Sequence, residues 1–449
     1  MGILFGTDGI RARANTYPMT AEIALRTGRA MARFFKAKAG QTKIIIGKDT
    51  RLSGDVFEHA LAAGACAMGA DVYLTGVIPT PGIAYLCRTL PDVTAGVVIS
   101  ASHNPFEDNG IKLFKGDGFK LDNDDEAELE QMILEEHQEK QSENVENTGR
   151  IMAYDRGSDD YEHFLQHLMD NVDFSGIKAV IDCSNGAASR IAPSLFTGLG
   201  LDATFLFTGP DGKNINHHCG SEHSQTMVET VLQTGADIGL AFDGDADRLI
   251  AVDHKGRVVS GDQIIAICAA HALNKGTLKN KTVVTTVMSN MGLGACFNDL
   301  GITHVLSQVG DRHVMMAMKK TGAVLGGEDS GHMIFMDHHT TGDGMLSALK
   351  LLSVLADTER SLESLAAIMT LYPQKLENVT VRSKPDIETV PSLVAVIRES
   401  EIQLEGKGRV LVRYSGTQAM CRVMVEAPSV KETEIHVRRI ADAVKRELG

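Results

Sequence analysis

Ala95-Gly96-Val97-Val98-Ile99-Ser100-Ala101-Ser102-His103-Asn104-Pro105 begins as an apolar run and stops abruptly in small and polar residues. The run Ala95–Ile99 reads as a buried strand of a parallel sheet. Pro105 lacks the N–H that an immediately following helix would need. In open α/β sheets, ligands collect just past the carboxyl ends of strands. Ser102 therefore stands where a nucleophile or phosphate carrier would stand, with His103 and Asn104 beside it as donors. The competing reading is a strand-ending turn that uses Ser and Asn only for turn chemistry. The other motifs of the chain move the balance towards chemistry.

Strands and helices alternate through most of the sequence, which implies mainly parallel sheets covered by helices. Between Thr20 and Lys38, Ile23, Ala30, Met31 and Phe34 recur at helical spacing, with Arg26, Arg29 and Arg33 on another face. A strand over Lys43–Gly47 follows, then a helix over Asp55–Met68, a strand over Val72–Leu74 and the serine strand. The acidic stretch Asp122–Glu146 predicts one solvated helix and a polar linker. A second α/β unit carries strands Ala179–Asp182, Ile238–Phe242 and Leu249–Asp253. A third carries Thr282–Val287 and Ala323–Leu325. The C-terminal part reads differently, with strands Glu377–Val381, Arg409–Arg413 and Arg422–Glu426, and helices Val390–Glu399 and from Val430 onward. The expected fold class is α/β: three similar mixed α/β domains over 1–152, 153–257 and 258–370, plus a smaller C-terminal α+β domain over 371–449.

A chain of 449 residues with an apolar fraction of 43% has material for several cores. The net charge of −14 argues against a general nucleic-acid surface, so any anionic ligand must be received by a local basic patch. The seven cysteines are scattered, and C-x-x-C does not occur, which fits a reduced cytoplasmic protein. Met1–Asp8 lacks the basic and apolar stretches of a signal peptide. No apolar run reaches the length of about 18 residues needed for a membrane span.

Asp243-Gly244-Asp245-Ala246-Asp247-Arg248 follows the strand Ile238–Phe242. Carboxylates at i, i+2 and i+4 of an extended loop point to one side. Three converging carboxylates repel unless a cation sits between them, and hard oxygen ligands with small spacers suit Mg²⁺. An EF-hand needs Gly at its sixth position and Glu at its twelfth; this chain has Arg248 and His254. A solvated acidic turn is the bland alternative. Two further loops offer hydrogen bonds and anion contacts. Gly326-Gly327-Glu328-Asp329-Ser330-Gly331-His332 supplies groups for hydroxyls, and Arg413-Tyr414-Ser415-Gly416-Thr417 supplies a guanidinium and a Gly turn suited to phosphate.

These four motifs, in this order, resemble the α-D-phosphohexomutase family over essentially the whole chain. Three stretches are similar to its amino-sugar branch: Phe5-Gly6-Thr7-Asp8-Gly9-Ile10-Arg11, the Ser100–Pro105 serine loop, and Gly212-Lys213-Asn214-Ile215-Asn216 followed by Cys219-Gly220-Ser221-Glu222-His223. The resemblance implies four domains around a central cleft, each giving one loop. It implies a phosphorylated Ser102 that ligates Mg²⁺ together with Asp243, Asp245 and Asp247. Glu328, Ser330 and His332 would read the sugar, and Arg413, Ser415, Gly416 and Thr417 would bind the non-reacting phosphate. Arg11 and Lys112 match positions near the reacting phosphate, and Arg248 matches an active-site arginine beside the metal loop; His103, beside Ser102, is a further catalytic candidate. Lys112 is the candidate proton acceptor, with its pKa depressed by nearby Arg11, or a purely electrostatic phosphate ligand. The implied reaction moves phosphate between O6 and O1 of a hexose, an amino sugar first among them, on the route to bacterial cell-wall precursors. A sugar bisphosphate would serve as primer. A phosphosugar is the expected partner, with no nucleic acid or membrane, and a homodimer is the candidate assembly.

The sequence also departs from the family pattern. Ala12 stands for a usual Gly, Asp329 occupies a variable position, and Tyr414 and Gln418-Ala419-Met420 replace common Pro and Glu-Pro-Leu. A neutral-hexose specificity, a catalytically silent phosphosugar binder and a metal-dependent phosphatase are the rival readings. His217, His218, Cys219 and His223 lack standard zinc-finger spacing. Neither a P-loop nor a G-x-G-x-x-G fingerprint occurs.

Overall fold

The computed structural model describes residues 2–6, 8–39, 42–135, 148–415 and 419–449. The Cα positions divide into two compact units. The larger comprises Met1–Val287 with Thr303–Ala367, and the smaller comprises Met288–Ile302 with Ile368–Gly449. Among the described residues, no helix is long and apolar enough to cross a membrane.

The larger unit holds three sheets. The first is built from β1 (Ile10–Arg13), α1 (Ala21–Ala39), β2 (Lys43–Lys48), α2 (Gly54–Ala67), β3 (Asp71–Val77), α3 (Thr80–Thr89), β4 (Ala95–Ile99), β5 (Asp108–Lys115), α4 (Asn123–Glu135) and β6 (Ile151–Ala153). Its strand order is β1-β5-β4-β2-β3-β6. Ile44, Ile45 and Ile46 of β2 are wholly buried, as expected for a strand covered on both faces. Each such side chain contributes about 1.5–3 kcal/mol. The serine strand β4 is parallel to β2 but antiparallel to β5, so the sheet is mixed where the sequence suggested parallel pairing. Strand β5 has no signal in the sequence, because Asp108-Asn109-Gly110 opens it with turn-forming residues. The polar linker expected after α4 lies largely outside the described residues.

The second sheet follows α5 (Gly157–His167). It contains β7 (Lys178–Asp182), β8 (Asp202–Leu206), β9 (Ile238–Phe242), β10 (Leu249–Asp253) and β11 (Val258–Val259), with α6 (Ala188–Gly198) and α7 (Gln225–Thr234) as crossovers. The order is β11-β10-β9-β7-β8, and the central β9 is buried throughout. The third sheet follows α8 (Gly261–Asn274) and joins β12 (Thr282–Thr286), β13 (Thr303–Ser307), β14 (Leu325–Gly327) and β15 (Met333–Phe335), with α10 (Asp311–Thr321) packed on it. We number the intervening helix Met291–Leu300 α9; it groups with the smaller unit. Then come α11 (Gly344–Thr358) and α12 (Leu362–Ala366).

The smaller unit has an antiparallel sheet, β16 (Gln374–Thr380), β18 (Met420–Glu426) and β17 (Arg409–Tyr414) in that order, with α13 (Pro391–Gln403) and α14 (Val430–Leu448). Val423 and Val425 of β18 pack with Val437, Ile440 and Val444 of α14. The expected α+β character is thus present.

One buried polar contact ties the second and third sheets together. The Tyr161 hydroxyl on α5 donates to Asp343 Oδ2 at 2.8 Å, and Asp343 Oδ1 caps α11 by accepting from Leu346 N at 2.9 Å. Burial pushes the Asp343 carboxyl up to about 7, against the pull of these donors. An unfolded Asp titrates at about 3.9. The folded chain therefore holds this proton more tightly, and the associated stability is complete below about pH 4 and lost as pH rises through 7. Tyr161→Phe should cost about 1–2 kcal/mol. The cost should grow between pH 5 and pH 8, because the hydroxyl favours the ionised carboxylate; denaturant midpoints at the two pH values measure it.

Candidate active site

The link Ser100–Glu107 joins two antiparallel neighbours, β4 and β5, so both its ends are fixed by ladder hydrogen bonds. Ser102 is buried and adopts a left-handed backbone conformation, with φ of 53°. That region costs a non-glycine residue about 1–2 kcal/mol and persists where surrounding contacts over-determine it. Its Oγ donates to Asp243 Oδ2 at 2.5 Å and lies 3.4 Å from His103 Nδ1. Burial, aided by the positive charges of Arg248 and Arg11, draws the His103 pKa down to about 4, so the ring is neutral at pH 7.

Strand β9 delivers Asp243, Asp245 and Asp247, which are 0%, 0% and 3% exposed. These values exclude a solvated acidic turn. The sequence suggested that extended backbone aligns the three; instead the loop turns, with Ala246 left-handed at φ 56°. The side chains converge all the same, one carboxylate oxygen from each lying within 4.8 Å of the others. Gly244 lets this loop touch the serine loop, since a Cβ there would stand 2.6 Å from Ser102 O. Burial, with Asp247 and Asp245 alongside, raises the Asp243 carboxyl well above the usual range. Asp245 Oδ1 and Asp247 Oδ1 are buried without a hydrogen-bond partner. Orphaned buried carboxylate atoms are costly, and three hard oxygen donors in this arrangement fit a divalent cation.

Strand β5 brings Lys112 to the same place. Its buried Nζ lies 2.7 Å from Asp245 Oδ2, 3.2 Å from Asp247 Oδ2 and 3.2 Å from Asp8 Oδ2. Burial opposes its charge, but Asp245, Asp247 and Asp8 outweigh burial and hold the pKa well above the lysine range. The expected depression by Arg11 is therefore corrected: three carboxylates dominate one guanidinium. Asp8, which sequence reasoning did not single out, also pairs with Arg11 at 3.3 Å and with Lys120 at 2.5 Å. Thr80, at the start of α3, holds Asp245 through its hydroxyl at 2.5 Å and its N–H at 3.0 Å. Nothing in the sequence marks Thr80 or Lys120 as members of this network. The Arg248 N–H donates to Asp243 Oδ1 at 3.1 Å, and its Nη1 is 3.6 Å from Glu222.

The loop carrying Glu328, Ser330 and His332 is joined to this centre through the main chain. Arg248 and His332 form a β-bridge, and Leu249 N donates to Gly331 O at 3.0 Å. Gly331 has φ of 89°, and a Cβ there would stand 2.1 Å from Leu249 O. The His332 Nδ1 lies 3.6 Å from Asp247 Oδ1. Burial disfavours the charged ring, yet Asp247 and Asp311 more than offset it and raise its pKa. Burial raises the Glu328 carboxyl, whose Oε1 accepts from Gly310 N at 3.0 Å. Ser330 is partly exposed on the turn between them.

In the smaller unit, Arg413 of β17 stands opposite Arg422 of β18. Burial, with Arg422 beside it, lowers the Arg413 pKa, and neither Nε has a hydrogen-bond partner among the described residues. Like charges directly opposite are unfavourable without an anion between them. Arg422 thus joins Arg413 as a candidate, and the ladder register reveals it where the loop motif did not. Ser415 is buried, with its carbonyl accepting from Lys384 Nζ at 2.6 Å. Gly416, Thr417 and Gln418 lie outside the described residues.

Comparison with known proteins accounts for the order of these loops. Residues 2–140, 160–256 and 260–372 match the phosphoglucomutase/phosphomannomutase α/β/α domains I, II and III, and 376–444 match the C-terminal domain of the same family. The chain belongs to the α-D-phosphohexomutase family. Members are isomerases that move phosphate within a sugar phosphate. A phosphoglucosamine mutase of Syntrophus aciditrophicus is 52% identical, with 100% of both chains covered. One from Desulforapulum autotrophicum is 52% identical over 99% of each chain. A phosphoglucomutase/phosphomannomutase family structure from Burkholderia thailandensis superposes with a TM-score of 0.82 at 25% identity, covering 99% of this chain and 98% of its own. The N-acetylphosphoglucosamine mutase of Aspergillus fumigatus, in complex with GlcNAc-6P and magnesium, shares the fold with a TM-score of 0.70 at 20% identity, covering 99% and 96%.

A divalent cation should stabilise this phosphohexomutase by relieving the buried charge. Saturation at about 100 Kd corresponds to about 2.7 kcal/mol. Thermal unfolding with Mg²⁺ and with EDTA should differ by several degrees, and Asp245→Asn or Asp247→Asn should shrink the difference. Identical melting in both conditions would remove the metal reading.

Proposed function

We propose that this protein interconverts glucosamine 6-phosphate and glucosamine 1-phosphate, with Ser102 as the phosphoryl carrier. The observation that carries this reading is the hydrogen bond from Ser102 Oγ to Asp243, inside a buried cluster of three aspartates and Lys112. The full-length relatives named phosphoglucosamine mutase supply the sugar. The domains run 1–152, 153–257, 258–370 and 371–449 on this reading. Asp243, Asp245 and Asp247, with the Ser102 phosphate, are the ligands for Mg²⁺, which when bound would neutralise charge on the phosphoryl oxygens.

A phosphoserine carries about −1.5 to −2 charge. Lys112, kept as an ammonium by its carboxylate neighbours, acts on that charge as a cation and not as a base. Arg11 and Arg248 add to the same field. A sugar hydroxyl attacks phosphorus and gives up its proton, the bond from phosphorus to Ser102 Oγ breaks as Oγ takes up a proton, and a sugar bisphosphate results with no net proton change. The neutral His103 imidazole, beside Oγ, is placed to exchange the proton that Oγ gains or loses. The bisphosphate turns over and returns its other phosphate to Ser102, so the same compound primes a resting enzyme. Glu328, Ser330 and His332 address the hydroxyls in both orientations, and Arg413, Ser415, Gly416 and Thr417 grip the phosphate that is not reacting.

Ser102→Ala should lower kcat by at least about 10³-fold, as loss of a covalent carrier does. Turnover of glucosamine 6-phosphate, glucose 6-phosphate and mannose 6-phosphate should be compared with Mg²⁺ and a sugar bisphosphate present. A preference of about tenfold or more for the amino sugar is expected. Preference for a neutral hexose would keep the chemistry and overturn the sugar. Release of inorganic phosphate without isomerisation would favour a phosphatase.

A further inference from the structure

Ser102 occupies an unfavourable backbone conformation, and the groups that hold it are not among those that line the aspartate cluster. Arg51 is wholly buried in its side chain. Its guanidinium donates to four main-chain carbonyls of the serine loop: Nη2 to Ser102 O at 2.9 Å and Asn104 O at 2.7 Å, Nη1 to Asp108 O at 3.0 Å and to Pro105 O. Its Nε donates to Asp49 Oδ2 at 2.9 Å. Asp49 also accepts from Ser100 Oγ at 2.6 Å, and Ser100 Oγ accepts from Ser102 N at 2.9 Å. A second arm comes from the Gly212–Asn216 motif. Asn216 Nδ2 donates to Ser102 O at 2.8 Å and to Asn104 O at 3.0 Å.

We infer that Arg51 and Asn216 form a backbone clamp that sets the attack geometry of Ser102. Both are positioning residues: their side-chain hydrogen bonds go to main-chain carbonyls of the loop and of the first residue of β5 and, for Arg51, to Asp49. The Ser102 residue is gripped on both sides, its N–H through Ser100 and Asp49, its carbonyl through Arg51 and Asn216. With both peptide neighbours held, rotation of the residue out of the left-handed region requires breaking several buried hydrogen bonds at once. The rotamer that aims Oγ at Asp243 is thereby kept whether or not the serine carries phosphate. A planar guanidinium is needed for the first arm, since a lysine ammonium cannot reach four carbonyls arranged around a fork. The two arms come from different sheets, so the clamp also fixes the serine loop against the aspartate loop. This inference rests on Ser102 being the phosphoryl carrier.

Arg51→Lys and Asn216→Gly test it. Glycine is chosen because Asn216 itself has φ of 57°, which glycine adopts freely. Each variant should lower kcat by about 10²-fold with KM for the sugar phosphate within about threefold, since the substrate contacts remain. The rate at which a sugar bisphosphate phosphorylates Ser102, read by intact mass, should fall in parallel. The double variant should be little worse than the worse single variant, because the arms share two carbonyls. Melting temperatures confirm that each protein is folded at the assay temperature. If Arg51→Lys does not fold, Asn216→Gly decides alone. Retention of kcat within twofold in a folded Asn216→Gly would overturn the clamp. Ser102→Ala, run alongside, separates the two readings: if it stays active the carrier assignment fails, whereas if it is dead and the clamp variants are fully active only the clamp fails.

Discussion

Three carboxylates removed from water at the end of β9 set the terms for the centre of the larger unit. Their mutual repulsion in a poorly solvated place has to be met by positive charge or by proton uptake. Each neighbouring element answers part of that demand. Strand β5 supplies Lys112, the start of α3 supplies Thr80, the residue after the loop supplies the Arg248 N–H, and Ser102 supplies a hydroxyl. Among the described residues, Asp245 Oδ1 and Asp247 Oδ1 have no hydrogen-bond partner, and His332 stands 3.6 Å from the second. A structure selected for stability alone would have filled those positions with apolar side chains. The residual electrostatic deficit fits the cluster for a divalent cation, one hydrogen bond away from Ser102 Oγ.

The same constraint explains the behaviour of Lys112. Arg11 alone would lower the lysine pKa, but the lysine does not see Arg11 alone. Asp8 lies between the two cations, pairing with both, and Asp245 and Asp247 stand on the other side. Asp8 and Arg11 thus arrive as an ion pair, with Asp8 also facing Lys112. The group beside Ser102 Oγ, His103, is by contrast neutral at pH 7.

Much of this was legible in the sequence, and the failures have physical causes. The apolar runs Ile44–Ile46, Ala95–Ile99 and Ile238–Phe242 are central strands, because continuous apolar residues of that length leave few alternatives. Strand β5 escaped notice since its first residues favour turns and its lysine at position 112 is charged in the interior; tertiary pairing with β4 and β1 overrides both signals. The Asp243–Asp247 loop was recognised for its carboxylates but not for its shape, because a left-handed Ala246 has no sequence signature. Arg51 and Asn216 were invisible as a pair. Each reads backbone carbonyls that lie more than fifty or a hundred positions away along the chain, and no local pattern encodes such a contact.

The loop Glu328–His332 is closed by main-chain groups: Glu328 N to His332 O, Gly331 N to Glu328 O, and Asp329 O to Gly261 N. These main-chain bonds hold the frame of the loop. An exchange at the half-exposed Ser330 would then meet a frame already closed by the main chain, with Gly331 held against Leu249. Such a change would alter what the loop offers to solvent while leaving Ser102 and the three aspartates as they are.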